Sequence, residues 1–200
     1  MTHASDFISY QQAIISGTDG IQHIPSDQLI TKDMIASIIK QGQSVTPTIN
    51  IFKAALMNPE ILNFLGEIPG NSTNASDLAA NFAKNLTTVI QNVNALHKAG
   101  VTILAGTDAV GEMGLFNVPL GMSLHLELQN LVEAGLTPAE ALRAATIVPA
   151  TFHRIPDRGM IAPGKRADLI LLNSNPLANI SNTLDIAKVW VGGIEYPYIA

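Results

Sequence analysis

The 200-residue chain is 47% hydrophobic and only 14% charged, so it can bury a sizeable core. Its net charge of −5, with no basic cluster, argues against nucleic acid as the main partner, and the absence of cysteine excludes disulfides and thiolate metal sites. The opening Met1-Thr-His-Ala-Ser-Asp6 lacks a basic stretch followed by an apolar core, and no apolar run nears the roughly 20 residues that span a membrane, so a soluble, cytoplasmic protein is expected.

Residues 1–4 read as the tail of a strand. Asp6 is placed to cap a helix running to Ser16, with Ile8, Ala13, Ile14 and Ile15 among its apolar positions and Gly17 as its end. Gly20 to Pro25 is a short strand with His23 near its end, where Pro25 forbids much further pairing. A helix follows from Thr31 to Gln41, with Met34, Ile35, Ile38 and Ile39 on one face and Gly42 as its stop. Gln43 to Asn50 reads as a third strand. From Ile51 to Ser76 the pattern weakens to a surface excursion of the lid type, with a short apolar helix around Pro59 to Leu65.

Asp77 to Ala99 is a long helix capped by Ser76, with Leu78, Phe82, Leu86, Val89, Val93 and Leu96 at helical spacing. It feeds through Gly100 into Val101 to Ala105, a continuous apolar run that predicts a strand buried on both faces. A Gly-rich loop from Gly111 to Gly121 leads to a helix over Ser123 to Ala134. Thr137-Pro-Ala-Glu140 is a capping box with proline at the first helical position, and Pro149 starts another short helix. Beyond residue 155 the alternation of strand and helix stops, which predicts a boundary between 1–155 and 156–200. In the second part, Met160-Ile161 and Ala167 to Leu172 read as a hairpin about Pro163-Gly164-Lys165, followed by strands over Lys188 to Val191 and Ile194 to Tyr196.

His3, His23 and Asp108 stand at or just past the ends of three of these strands. If the strands are parallel, all three side chains can face one rim, where α/β folds place their chemistry. Two imidazoles and a carboxylate suit zinc or a similar divalent ion. On local grounds alone, Asp108 reads equally as a helix cap or turn residue, and a lone histidine is more often structural than a ligand. His97, near a helix C-terminus, reads as a partner of the helix dipole. His153, Arg143 and Arg154 read as surface residues.

Taken together, several segments resemble the metal-dependent amidohydrolase superfamily, nearest to its imidazolonepropionase-like and Xaa-Pro dipeptidase-like branch. They are His3-Ala4, Asp19-Gly-Ile-Gln-His23-Ile-Pro25, Ala105-Gly-Thr-Asp108-Ala, Ser123-Leu-His125-Leu-Glu127-Leu, Glu133 to Thr146, and Pro163-Gly-Lys-Arg-Ala-Asp168-Leu-Ile-Leu-Leu172. The resemblance spans nearly the whole chain except roughly residues 51–80, and its order and spacing are more specific than any one piece. It implies an α/β fold, the C-terminal half of a (β/α)8 TIM-type barrel (strands five to eight), followed by part of a small β-sandwich. It also implies that His3, His23 and Asp108 are metal ligands, that Asp108 is the catalytic proton shuttle, and that His125 approaches the substrate. The expected reaction is hydrolysis of a C–N bond in a small molecule by metal-activated water.

The family pattern further asks for a His-x-His on strand one, and this chain has none. The expectation is therefore a half barrel that needs an N-terminal half to supply those ligands. Its two unpaired edges favour association with that half or with a second copy.

Overall fold

The computed structural model describes residues 1–57, 75–109, 111–113 and 116–197. Four short strands, β1 (Thr2–His3), β2 (Gly20–Gln22), β3 (Ser44–Thr46) and β4 (Thr102–Ile103), form one sheet in the order β1-β2-β3-β4. Every pairing in it is parallel. Parallel neighbours need a crossover, and helices supply it. α1 (Phe7–Ile15) links β1 to β2, and α2 (Lys32–Gln41) links β2 to β3. Among the described residues, two helices, α3 (Ile49–Met57) and α4 (Ala75–Lys98), lie between β3 and β4.

Local chemistry sets these boundaries. The Asp6 carboxylate accepts the amides of Ile8 and Ser9 at the start of α1, and Thr31 caps α2 through the amide of Met34. Gly42 closes α2 in the left-handed region, at φ 66°. At the end of β4, Gly106 lies so close to Thr46 that an added Cβ would collide with its methyl group, so only glycine lets these two strand ends approach. The core runs between the sheet and its helices. Ile21 and Val45 of the inner strands pack with Ile38, Ile49, Val89, Val93 and Leu96, and all seven side chains are fully buried. Each contributes about 1.5–3 kcal/mol relative to exposure.

After β4 comes an antiparallel hairpin, β5 (Gly111–Met113) with β6 (Phe116–Val118). Then follow α5 (Met122–Glu133), α6 (Pro138–Ala144) and α7 (Ile147–Phe152). Thr137 and Glu140 form the expected capping box at the start of α6. A second sheet, β7 (Leu169–Leu172), β8 (Ile186–Val191) and β9 (Ile194–Tyr196), is wholly antiparallel. The 3-10 helix Ile180–Leu184 between β7 and β8 packs against α5, and Ile180 joins the main core.

Several expectations are corrected. The strand predicted over residues 43–50 ends at Thr46, because Pro47 has no N–H to donate to a ladder, and α3 begins at Ile49. Ser76 lies inside α4 rather than capping it. The helix expected around Pro59 to Leu65 falls outside the described residues. In β4, Ile103 is buried but Thr102 is exposed, since β4 is an edge strand of its sheet. On α2, Met34 and Ile38 are buried but Ile39 is exposed. The Gly-rich stretch after Asp108 holds the β5–β6 hairpin rather than a plain loop. α7 starts at Ile147, two residues before Pro149. Met160-Ile161 is not a strand: β7 pairs instead with β8, whose longer apolar run offers it a full ladder.

Candidate functional site

The parallel arrangement sends the C-terminal ends of all four strands to one rim. His3 ends β1, and His23 follows β2 directly, its backbone N–H bonding the Thr46 carbonyl of β3 at 2.9 Å. Thr48 follows β3, and Asp108 follows β4. His23, Thr48 and Asp108 all have left-handed backbone, with φ of 68°, 51° and 51°. Non-glycine residues avoid this region, a β-branched threonine most of all, and each instance costs on the order of 1–3 kcal/mol. Three successive strand ends therefore carry local strain that the surrounding packing must hold.

Two imidazoles meet at this rim. The rings of His3 and His23 meet edge to face with centroids 4.4 Å apart. His3 is exposed and His23 is buried. The His23 Nδ1 lies 2.6 Å from Thr48 Oγ1, and the Thr48 hydroxyl is itself 2.8 Å from the Pro47 carbonyl. A hydroxyl has one proton. With that proton on the Pro47 carbonyl, His23 Nδ1–H donates to Thr48 and Nε2 keeps its lone pair. This is the arrangement in which a second group orients a ligating histidine. Burial holds the His23 pKa below its ordinary value, and the neighbouring His3 pushes it the same way. Asp108, an exposed carboxylate, acts in the opposite sense through its charge. The net shift favours the neutral imidazole, the form that binds metal.

The three sequence-predicted ligands thus meet the structure differently. His3 and His23 are in ring contact, while Asp108 reaches His23 through its field. Among the described residues, no group of three or more His, Cys, Asp and Glu side chains is arranged to hold a metal ion. Two imidazoles are an incomplete donor set for zinc, which takes four ligands, or three and a water. His125 lies half-buried on α5, its Nδ1 buried without a hydrogen-bond partner among the described residues, and burial lowers its pKa. His97 faces Glu140 at 3.6 Å, and His153 is exposed and packs edge-on against Phe152.

Sequence reading missed the groups behind the rim. Glu127 of α5 is fully buried, and its two carboxylate oxygens accept the amides of Ile49 (2.9 Å) and Asn50 (2.7 Å) at the start of α3. Burial pushes its pKa up to about 7 against the lowering effect of those two bonds. Asn92 of α4 clamps the chain after His23: its Oδ1 accepts the Ile30 amide and its Nδ2 donates to the Pro25 and Gln28 carbonyls, each at 2.9 Å. The available signal was phase: Ser123, Glu127 and Asn130 fall at i, i+4 and i+7 on the buried face of α5, where apolar residues belong.

Parallel strands joined by helical crossovers, with two histidines at their C-terminal ends, place the chain in the α/β class, where chemistry sits at that rim. The amidohydrolase family model matches residues 1–194, so the chain belongs to the amidohydrolase family. It is 36% identical over 99 residues to an imidazolonepropionase of Deinococcus deserti, covering 48% of this chain and 24% of that protein. It is 39% identical over 102 residues to an ochratoxinase of Aspergillus niger, covering 48% of this chain and 19% of that protein. A solved Xaa-Pro dipeptidase superposes on 97% of this chain with a TM-score of 0.72 and 26% identity, using 43% of its own length. The chain therefore spans less than half of each of these relatives. No helix among the described residues is long and apolar enough to cross a membrane.

Proposed function

We propose that this chain carries one half of the active site of a metal-dependent amidohydrolase that cleaves a C–N bond in a small molecule, whether amide, cyclic amide or dipeptide. The observation that carries the reading is the His3–His23 pair at neighbouring strand ends, with His23 held neutral and its Nδ1 engaged by Thr48. Residues 1–155 are the barrel portion, corresponding to strands five to eight, and 156–200 belong to a β-sandwich. The open four-stranded parallel sheet and the 43% coverage of the dipeptidase support that assignment.

His3, His23 and Asp108 would hold a divalent ion, zinc by the donor chemistry, together with ligands supplied from further strands. When bound, such an ion supplies the Lewis acidity that brings a water's pKa towards neutrality. Asp108, exposed at the rim, would take a proton from the attacking water and pass it to the leaving nitrogen. His125 contributes to substrate binding. In a protein that carries the complete barrel, Asp108→Asn should abolish turnover, and near-normal turnover would remove Asp108 from this role.

A second reading is favoured by the incomplete donor set: without a complementing half that supplies a His-x-His, these residues are inactive. Metal analysis and amidase assays on this chain, alone and mixed with such a half, separate the two. Tight stoichiometric zinc with turnover by the chain alone would overturn the second reading.

A further inference from the structure

We propose that Glu127 is a positioning residue that sets the tautomer of His23 through the first turn of α3 and Thr48. The inference rests on the reading of His23 as a ligating imidazole. A helix leaves its first amides without partners, and the residue before it ordinarily caps them with its own side chain. Thr48 stands in that place before α3. Its left-handed backbone at φ 51° is not the extended cap conformation, and its hydroxyl is turned to His23 Nδ1. Thr48 therefore cannot serve both the helix and the histidine.

Glu127 takes over the first task. It reaches from α5, 78 and 77 residues along the chain, and accepts the amides of Ile49 and Asn50 with its two oxygens. Its negative charge also suits a helix start. No solvent reaches the carboxyl, so the chain bears the desolvation of a polar, ionisable group where an exposed cap would cost far less. The return on that cost is a Thr48 freed for the rim and held against rotation, because Ile49 beside it is pinned. The route from Glu127 to His23 is two hydrogen-bonded contacts joined by one peptide unit.

The test uses this chain with ¹⁵N-labelled histidine, read by long-range proton–nitrogen spectra at about pH 8, where imidazoles are neutral. The expected spectrum of the unaltered chain shows His23 protonated at Nδ1. Thr48→Val removes the acceptor, and the Nε2–H form should rise about threefold or more, the value of one neutral hydrogen bond. Glu127→Gln sets an amide NH₂ against one backbone N–H, and it should raise the same Nε2–H form while circular dichroism stays native. If Glu127→Gln does not fold, Glu127→Asp, which keeps the charge one methylene shorter, is read in the same way. Thr137→Ala, which removes an unrelated cap, should leave the His23 spectrum unchanged. A Glu127 variant that melts earlier but keeps His23 on Nδ1–H would overturn the inference and leave Glu127 a structural cap. Because no metal or substrate enters the measurement, that result would not touch the functional reading, which the Asp108→Asn assay decides.

Discussion

Ile21 in β2 and Val45 in β3 are wholly buried, whereas Ile170 in β7 is 57% exposed and Ile194 in β9 is 73% exposed. The two sheets are built from similarly apolar segments, so composition does not explain the difference. Cover does. The parallel sheet packs against the helices that its own crossovers require. In the antiparallel sheet a two-residue turn, Gly192-Gly193, joins β8 to β9, and the longer β7–β8 connection carries only the 3-10 segment that seats Ile180 in the core. The lesson is that burial of a strand follows from how it is connected. An apolar strand joined by short turns must find its cover elsewhere.

The sharpest way to break the comparison is to truncate one residue on each side. Val45→Ala should lower unfolding free energy by about 2–4 kcal/mol, and Ile170→Ala should change it by less than about 0.5 kcal/mol. Helical circular dichroism reports on the parallel sheet and its helices. The single tryptophan, Trp190 in β8, reports on the other sheet by emission. Equal costs for the two variants would mean that the antiparallel sheet is covered after all.

A second measurement uses the buried Glu127 carboxyl that packs against α3 in the parallel region. Glu127 keeps its proton in the folded state up to about pH 7 but releases it near 4.5 when unfolded. Its contribution is therefore fully present below pH 4.5 and is lost as pH rises through about 7. Lys53 on α3 partly offsets the loss. Urea titrations across this window should show a loss of roughly 2–3 kcal/mol that is missing from Glu127→Gln. His23 and His125, both held below their ordinary pKa, destabilise the fold as pH falls and are common to both proteins, so the difference isolates Glu127. A flat difference would show that water reaches the carboxylate.

Asn92→Ala comes next, at about 1–3 kcal/mol, because it strands the Ile30 amide and two carbonyls in the loop after His23. Thr137→Ala should cost less, about 1 kcal/mol for a surface cap on α6, measured by melting.

Much of the parallel region was legible in the sequence because its signals are local. Asp6, Thr31, Gly42 and the Thr137 capping box mark helix ends through bonds that span three or four residues, and the structure keeps each one. The placement of His3, His23 and Asp108 after strands was legible for the same reason. What could not be read was any bond across the fold. Glu127 meets Ile49 and Asn92 meets Ile30 across sequence separations of 78 and 62, and nothing near either residue announces its partner. Pairing of the second sheet failed likewise: Met160-Ile161 lies nearer to β7 in sequence than β8 does, yet β8 supplies the ladder.

The left-handed backbone at Thr48 has a consequence for any population of variants under selection. Asparagine or glycine would sit at φ 51° with less strain, so a screen for heat resistance alone should enrich Thr48→Asn and Thr48→Gly. Both would discard the hydroxyl that His23 leans on. A lineage that gained robustness there would do so by forgetting its chemistry, and persistence of threonine at this position through such a screen would be the record of a demand other than stability.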